Sequence, residues 1–165
     1  MVAPRAEILD TGDPRLLSAR ITINASAERI FSLISDPHMH AQFDGSGTVV
    51  GRVRGPDRLT LGSRFNVAMR VGVPYRVTST VVEYEPDLRI AWCHLLGNRW
   101  RYELRPLTVA AGEPPQTEVT ESDDLRRMRW FGRFSPAVRN TRFVEVAMAK
   151  TLVRLKGLAE AAPVD

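Results

Sequence analysis

Three side chains that could do acid–base chemistry fall on the apolar phase of alternating segments: His94, Tyr102 and Glu121. Alternation with a period of two is typical of a half-buried strand, so we expect these side chains to point into the interior. If they converge in a pocket, one can remove a proton beside a carbonyl group while another donates to the developing enolate oxygen. His94, Glu121 and Tyr102 are therefore the candidate catalytic residues.

Burial would act on Glu121 and His94 in opposite senses. A buried carboxyl without a partner keeps its proton, whereas burial favours the neutral form of histidine. A second interpretation is also open. Glu121 and Asp123 close the last predicted strand and could lie at a wet rim beside Arg126 and Arg127. The rim is the position that we expect for Asp123, and His94 could be a hydrogen-bonded pocket residue without a catalytic role.

The elements that must position these residues begin with the stretch 21–37, ITINASAERIFSLISDP. Its first residues alternate between apolar and polar, which predicts a strand. A helix over 26–35 follows, which Asn24 or Ser26 can cap and which Pro37 must end. The apolar positions of this helix recur at three- and four-residue spacing, which indicates a buried stripe: Ala27, Ile30, Phe31 and Ile34.

The rest of the chain predicts a run of strands followed by one long helix. Gly97-Asn98 is typical of a two-residue hairpin turn. About six antiparallel strands form a sheet with one face that needs a cover, and the long helix is the element that can supply it. The order of elements predicts the α+β class. The predicted strands cover 48–54, 63–71, 73–84, 89–96, 99–104 and 116–124, and the long helix covers 136–161.

Four segments carry a resemblance to a known family: residues 21–37, GSRF at 62–65, VVEYEPDLRIAW at 81–92, and the long terminal helix. Together they resemble the SRPBCC superfamily, the helix-grip group of START lipid-transfer domains, birch-pollen-allergen-type proteins and bacterial polyketide cyclase/dehydrase proteins. The last of these is the type of member that the chain suggests. The resemblance covers about 18–162, taken as one ligand-binding domain after a loose leader at 1–17.

The resemblance implies a helix-grip fold, in which a curved antiparallel sheet of six to seven strands wraps around a long C-terminal helix, with short helices after the first strand. It also implies a deep apolar pocket between sheet and helix. Tryptophan and tyrosine on the inward phase suit a partly wet pocket because their polar tips need partners. The predicted ligand-binding residues are Phe43, Phe65, Val67, Met69, Tyr75, Trp92, His94, Trp100, Tyr102, Glu121, Trp130, Phe131, Phe134, Met148 and Leu152.

Composition excludes several classes of function. A chain of 165 residues, 44% hydrophobic and 25% charged, indicates one ordinary globular domain. The net charge of +4 is spread along the chain, so no nucleic-acid partner is expected. A single cysteine, Cys93, and the lack of an apolar leader favour the cytoplasm. No glycine-rich phosphate loop is present, so no cofactor is expected, and His38-x-His40 lacks a third ligand for a metal.

Residues 125–134, LRRMRWFGRF, interleave arginine with aromatic side chains between the last strand and the long helix. One hypothesis is a gate in which Trp130 and Phe131 fold over the pocket opening. Another is an interfacial segment that meets anionic lipid through 126–134. A plain packing loop is the third interpretation.

Three functions therefore stay open from the sequence. The first is a carrier or sensor that binds a small hydrophobic molecule of polyketide-, lipid- or aromatic-like character. The second is a polyketide cyclase or dehydratase, a lyase or isomerase that uses His94, Glu121 or a pocket tyrosine as acid and base. The third is a membrane-docking lipid-transfer module. We expect a monomer or a homodimer.

Overall fold

The computed structural model describes residues 5–51, 53–130 and 140–161. Within these ranges, seven antiparallel strands form one sheet, and a long C-terminal helix packs against it. Short 3-10 turns at Pro37–Met39 and Leu125–Arg127 complete the architecture. The elements are β1 (Glu7–Ile8), β2 (Leu16–Ile23), α1 (Ala27–Ile34), α2 (His40–Phe43), β3 (Arg64–Val71), β4 (Val73–Glu85), β5 (Arg89–Cys93), β6 (Arg99–Leu107), β7 (Gln116–Asp124) and α3 (Thr141–Glu160).

The strands are ordered β1-β2-β7-β6-β5-β4-β3 across the sheet. Helix α3 packs mainly against β2 and also contacts α1, α2 and β7. The α+β helix-grip fold that the sequence predicts is therefore confirmed. None of the helices in the described part of the chain has the length and apolar character needed to cross a bilayer. The buried stripe of α3 consists of Val144, Ala147, Met148, Thr151, Leu152, Leu155 and Ala159.

The register between β6 and β7 places the candidate residues on one face of the sheet. Tyr102 lies opposite Glu121, and Trp100 lies opposite Asp123. Directly opposed residues of antiparallel strands point to the same face, so all four side chains share the covered face. Strand β5 extends this face, because its Trp92 lies opposite Trp100. The inward phase predicted for β6 and β7 is confirmed.

Helix α1 begins and ends where its sequence requires. Ser26 is the N-terminal cap, and its hydroxyl accepts a hydrogen bond from the Arg29 backbone N–H at 3.2 Å. Asn24, the other predicted cap, does not serve that role. Asp36 is extended and Pro37 opens a 3-10 turn, so the helix stops before the proline.

The segment 48–54 was expected to be a strand, and this prediction is wrong. It touches β3 through two isolated bridges, Val49 with Met69 and Arg54 with Asn66. Gly51 has a positive φ of 77°, which interrupts the extended conformation that a strand requires. The described residues of this segment therefore lie along the outer edge of β3 without forming a regular strand.

Two other boundaries differ from the sequence-based expectation. The predicted two-residue turn at 97–98 is wrong, because β5 ends at Cys93 and residues 94–98 form the whole connection. Within it, Gly97 N–H donates to the His94 carbonyl at 2.9 Å. The stretch expected to be a loose leader contains Glu7–Ile8, which pair with β2 as an edge strand.

Gly45 allows the loop after α2 to approach the backbone of α3. Its N–H donates to the hydroxyl of Thr151 at 2.8 Å. A Cβ at position 45 would lie 2.3 Å from the Ala147 carbonyl oxygen and 2.4 Å from the Thr151 backbone nitrogen. Since both are backbone atoms of a helix, no side-chain rotation could relieve the clash.

We expect Gly45→Ala to lower the free energy of unfolding by about 2–4 kcal/mol, because the loop or α3 must move to admit the methyl group. Gly157→Ala is the matched control, since a Cβ there meets nothing within 4 Å. It should raise the free energy of unfolding by about 0.5–1 kcal/mol through helix propensity. Chemical denaturation measures both, and similar small effects at the two positions would contradict the close approach.

Candidate active site

The carboxyl of Glu121 is fully buried on the covered face of the sheet. The hydroxyl of Tyr102 donates to its Oε1 at 2.7 Å, and Nε1 of Trp100 donates to the same oxygen at 2.9 Å. The other carboxyl oxygen, Oε2, is buried and has no hydrogen-bond partner among the described residues. Leaving a buried polar atom unpaired costs about 1–3 kcal/mol, so Oε2 is a position where a function is expected.

Burial raises the pKa of Glu121 to about 8, because the site disfavours the charged form. The hydrogen bonds from Tyr102 and Trp100 lower this pKa, while the negative charges of Asp44 and Asp123 raise it. The carboxyl therefore holds its proton at neutral pH. Because Oε1 already accepts two hydrogen bonds, the proton belongs on Oε2, which makes Oε2 a buried hydrogen-bond donor.

A second buried carboxyl, that of Asp123, follows two residues along β7 on the same face. It accepts a hydrogen bond from Nδ2 of Asn98 at 2.7 Å. The side-chain amide oxygen of Asn98, Oδ1, is buried and has no hydrogen-bond partner among the described residues. Burial raises the pKa of Asp123 to about 7, although the Asn98 hydrogen bond lowers it.

The interpretation that places Glu121 and Asp123 at a wet rim beside Arg126 and Arg127 is wrong, because both carboxyl groups are buried. The strand continues through Asp124, so the residues of odd number point inward while Asp124 points outward. Arg126 and Arg127 accordingly pair with Asp124, at 2.8 and 3.9 Å. The charged run at the end of β7 thus divides between the interior and the surface.

A continuous row of aromatic rings leads from α2 to the carboxyl network. The ring of Trp92 lies 5.7 Å from that of Tyr102. Trp92 also stacks on His40 at 5.2 Å and meets Phe65 edge to face at 5.5 Å. Phe43 extends the row, with its ring 5.4 Å from that of His40.

His40 is the member of this row that the sequence did not identify as an interior residue. Its Nε2 donates to the Ile34 carbonyl at 2.7 Å, and burial lowers its pKa to about 4, so the ring is neutral. The sequence singles it out only as part of the His38-x-His40 pair. The three-residue spacing of His40 and Phe43 is the signal that could have placed both on one helix face.

None of the hydrogen bonds of the described residues joins His94 to Glu121. His94 is in the 94–98 connection, where its Nδ1 accepts a hydrogen bond from the Leu96 N–H at 3.3 Å. Burial lowers the pKa of His94. The strand ends at Cys93, so the alternation that predicted an inward side chain does not extend to position 94.

Tyr75 is 44% exposed, so the prediction that it lines the interior is wrong. Tyr75 does share a face of the sheet with Met69, because the two residues lie opposite each other on β3 and β4. The β3–β4 hairpin, however, extends past the end of β5, and no neighbouring strand of the described sheet covers this part.

The remaining predicted ligand-binding residues differ in how far they are buried. Trp130 is exposed, while Phe131 and Phe134 lie outside the described residues. Four of the predicted residues are buried: Phe43, Phe65, Met148 and Leu152. Four more are partly buried: Val67, Met69, Trp92 and Trp100.

Comparison with known proteins identifies the family. The family model for "Polyketide cyclase / dehydrase and lipid transport" matches residues 15–160. Because the match spans most of the chain, the protein belongs to this family. The resemblance to a polyketide cyclase/dehydrase-type member of the SRPBCC superfamily, drawn from the sequence, is confirmed.

The chain is also similar to curated proteins of Mycobacterium tuberculosis. The uncharacterized protein Rv0088 of Mycobacterium tuberculosis (strain ATCC 25618 / H37Rv) is 39% identical over 118 residues, which are 71% of this chain and 50% of that protein. The chain thus spans about half the length of the curated relatives it matches.

Solved structures share the fold. A crystal structure of a protein from Rhodobacter sphaeroides has a TM-score of 0.62 at 18% identity, covering 93% of this chain and 96% of that one. The Polyketide_cyc-like protein Cgl2372 from Corynebacterium glutamicum has a TM-score of 0.56 at 18% identity, covering 88% and 91%. At this level of identity the likeness concerns the fold alone.

Glu121→Gln tests whether the buried carboxyl is neutral. The native pKa of about 8 lies above the ordinary value of 4.5, so the folded protein keeps a proton that the unfolded chain releases between these values. The stabilising contribution of Glu121 is complete below the unfolded pKa and is lost as the pH rises through about 8. Glutamine stays neutral at every pH. The free energy of unfolding of the variant should therefore rise by about 2–4 kcal/mol relative to that of wild type between about pH 5 and pH 9.

Thermal unfolding followed across this pH range measures the gain. Glu103→Gln is the control, because Glu103 is an exposed residue on the outward phase of β6. A Glu121→Gln variant whose stability parallels that of wild type at every pH would show that the native carboxyl is ionised.

Proposed function

We propose that the protein binds a small, largely apolar molecule that carries a carbonyl or similar hydrogen-bond acceptor, and that the neutral carboxyl of Glu121 donates to this acceptor through Oε2. The observation that carries the proposal is the buried Oε2, which has a proton to donate and no partner among the described residues. A family description that names polyketide cyclisation, dehydration and lipid transport agrees with a small hydrophobic ligand.

The surroundings of Glu121 suit such a ligand. Tyr102 and Trp100 hold the carboxyl in one orientation by donating to Oε1. A donor that is already fixed loses little conformational freedom when a ligand binds. Trp92 and Phe65 offer flat apolar contacts beside the network. Trp100 is partly exposed, so the hydrogen-bond network of Glu121 extends toward the surface at this side chain.

A cyclase or dehydratase activity is the second candidate, and one observation favours it. Glu121 and Asp123 project from the same face of β7, roughly 7 Å apart along the strand. Their pKa values of about 8 and about 7 allow them to divide the roles of acid and base near neutral pH. In this scheme Asp123 removes the proton beside a ketone, and Glu121 donates to the enolate oxygen. His94 stays a prediction without a described contact to either carboxyl.

A pair of fluorescent probes tests whether Glu121 donates a hydrogen bond to a carbonyl group of the ligand. The aromatic ketone 6-propionyl-2-dimethylaminonaphthalene should bind at least about fivefold more tightly than carbonyl-free 2-dimethylaminonaphthalene, because the ketone gains one hydrogen bond. This preference should fade as the pH rises through about 8, where Glu121 ionises. It should become independent of pH in Glu121→Gln, whose amide donates throughout, and disappear in Glu121→Met.

Glu103→Gln should behave as wild type in the same titrations. Equal binding of the two probes by wild type at every pH would contradict the proposal. Exchange of the ketone's α-protons in D2O, followed by NMR, separates the two candidates. Exchange that is lost in Asp123→Asn at unchanged affinity indicates an enzyme, and its absence in wild type indicates a carrier.

A further inference from the structure

The β3–β4 hairpin extends past the rest of the sheet as an arm, defined here as residues 64–80. Thr80 lies opposite Cys93, the last residue of β5. Residues 73–79 therefore pair with β3 alone in the described sheet, and they reach roughly 20–25 Å beyond β5 at about 3.3 Å per residue. The arm turns at Gly72, whose φ of 72° is one that glycine adopts without strain.

One face of the arm is apolar and becomes more exposed toward the tip. Phe65 and Ser79, which lie opposite each other near the base, are buried. Tyr75 is 44% exposed, and Val73 at the tip is 73% exposed. Leu95, in the connection at the same end of the sheet, is 71% exposed. Burial of apolar surface contributes about 25 cal/mol of free energy per Å². A cluster of exposed apolar side chains therefore suits a contact surface, because binding would remove this area from water.

The opposite face of the arm is basic. Arg70 and Arg76 are exposed and make no ion pair with any described residue. Together with Arg54 and Asn66, Arg76 lines a surface cleft of about 550 Å³. None of the described residues that line this cleft is acidic. The arm thus combines an exposed apolar tip with positive charge that no neighbouring carboxylate neutralises.

We propose that the tip of the arm docks on a lipid surface with anionic headgroups, with Val73 and Tyr75 in the interface and Arg70 and Arg76 on the headgroup phosphates. Tyrosine suits the boundary between headgroups and acyl chains, because it has an apolar ring and a polar tip. The guanidinium group of arginine matches the geometry of phosphate. Each basic residue near an anionic surface adds about 1 kcal/mol of attraction.

Charge favours lipid over a second copy of the chain. A two-fold dimer through the tip would bring Arg70 and Arg76 of both subunits together, and like charges across an interface are unfavourable. Charge also favours the arm over Arg126 and Arg127, which follow β7. Arg126 and Arg127 both pair with Asp124, so their charge is partly neutralised.

Vesicle sedimentation tests the proposal. The full chain should sediment with vesicles of phosphatidylcholine and phosphatidylglycerol, bind pure phosphatidylcholine at least about tenfold more weakly, and dissociate as salt is added. Val73→Asp/Tyr75→Asp and Arg70→Glu/Arg76→Glu should each weaken binding to the mixed vesicles by at least about tenfold.

Two matched variants control for charge and folding. Leu61→Asp/Leu88→Asp changes two residues of similar exposure, 66% and 43%, at the opposite end of the sheet. Arg29→Glu/Arg64→Glu makes the same change in net charge on α1 and at the base of the arm, roughly 20–25 Å along β3 from the tip. Both should bind the mixed vesicles as wild type does.

Several outcomes would overturn the docking proposal. The first is equal binding to both kinds of vesicle. The second is a loss of vesicle binding in the control variants that matches the loss in the tip variants. The third is a dimer, seen by light scattering, that dissociates in the tip variants while vesicle binding stays intact. Glu121→Gln should not alter vesicle binding, so failure of the ligand proposal and failure of the docking proposal can be told apart.

Discussion

The burial of a single carboxyl group, that of Glu121, constrains the rest of this structure. An ionised carboxylate in this position would cost several kcal/mol in desolvation. The site avoids that cost by raising the pKa of Glu121 to about 8, and Tyr102 and Trp100 fix the neutral group by donating to one oxygen. The second oxygen is left as a donor shielded from water, and the chemistry that we propose depends on that donor.

This arrangement depends on the register of the sheet. Tyr102 can reach Glu121 because the two lie directly opposite each other on β6 and β7. A slip of one residue would turn Glu121 toward solvent and remove both donors from it. The packing of α3 over β2 and β7 covers the same face, and the contact at Gly45 brings the loop after α2 against that helix. The packing that stabilises the fold thus also shields the carboxyl group of Glu121 from water.

The sequence predicted the inward phase of Tyr102 and Glu121, because alternation on their strands is regular and the pleat has a fixed period of two. It could not predict that the two oxygens of Glu121 have different surroundings, since this depends on side-chain conformations across two strands. Asp123 was placed at a rim because a charged run resembles a solvated strand end. Tyr75 was misplaced because alternation predicts a face and not whether a neighbouring strand covers it. The roles of these residues toward a ligand stay predictions.

Carbon-13 NMR of protein with labelled glutamate side chains tests the central claim most directly. The Cδ resonance of Glu121 is assigned by its loss in the spectrum of Glu121→Gln and then followed through a pH titration. The account predicts a midpoint near 8, well above the ordinary value of 4.5. A midpoint near the ordinary value would show that Glu121 is ionised in the folded protein at neutral pH, and it would contradict the account.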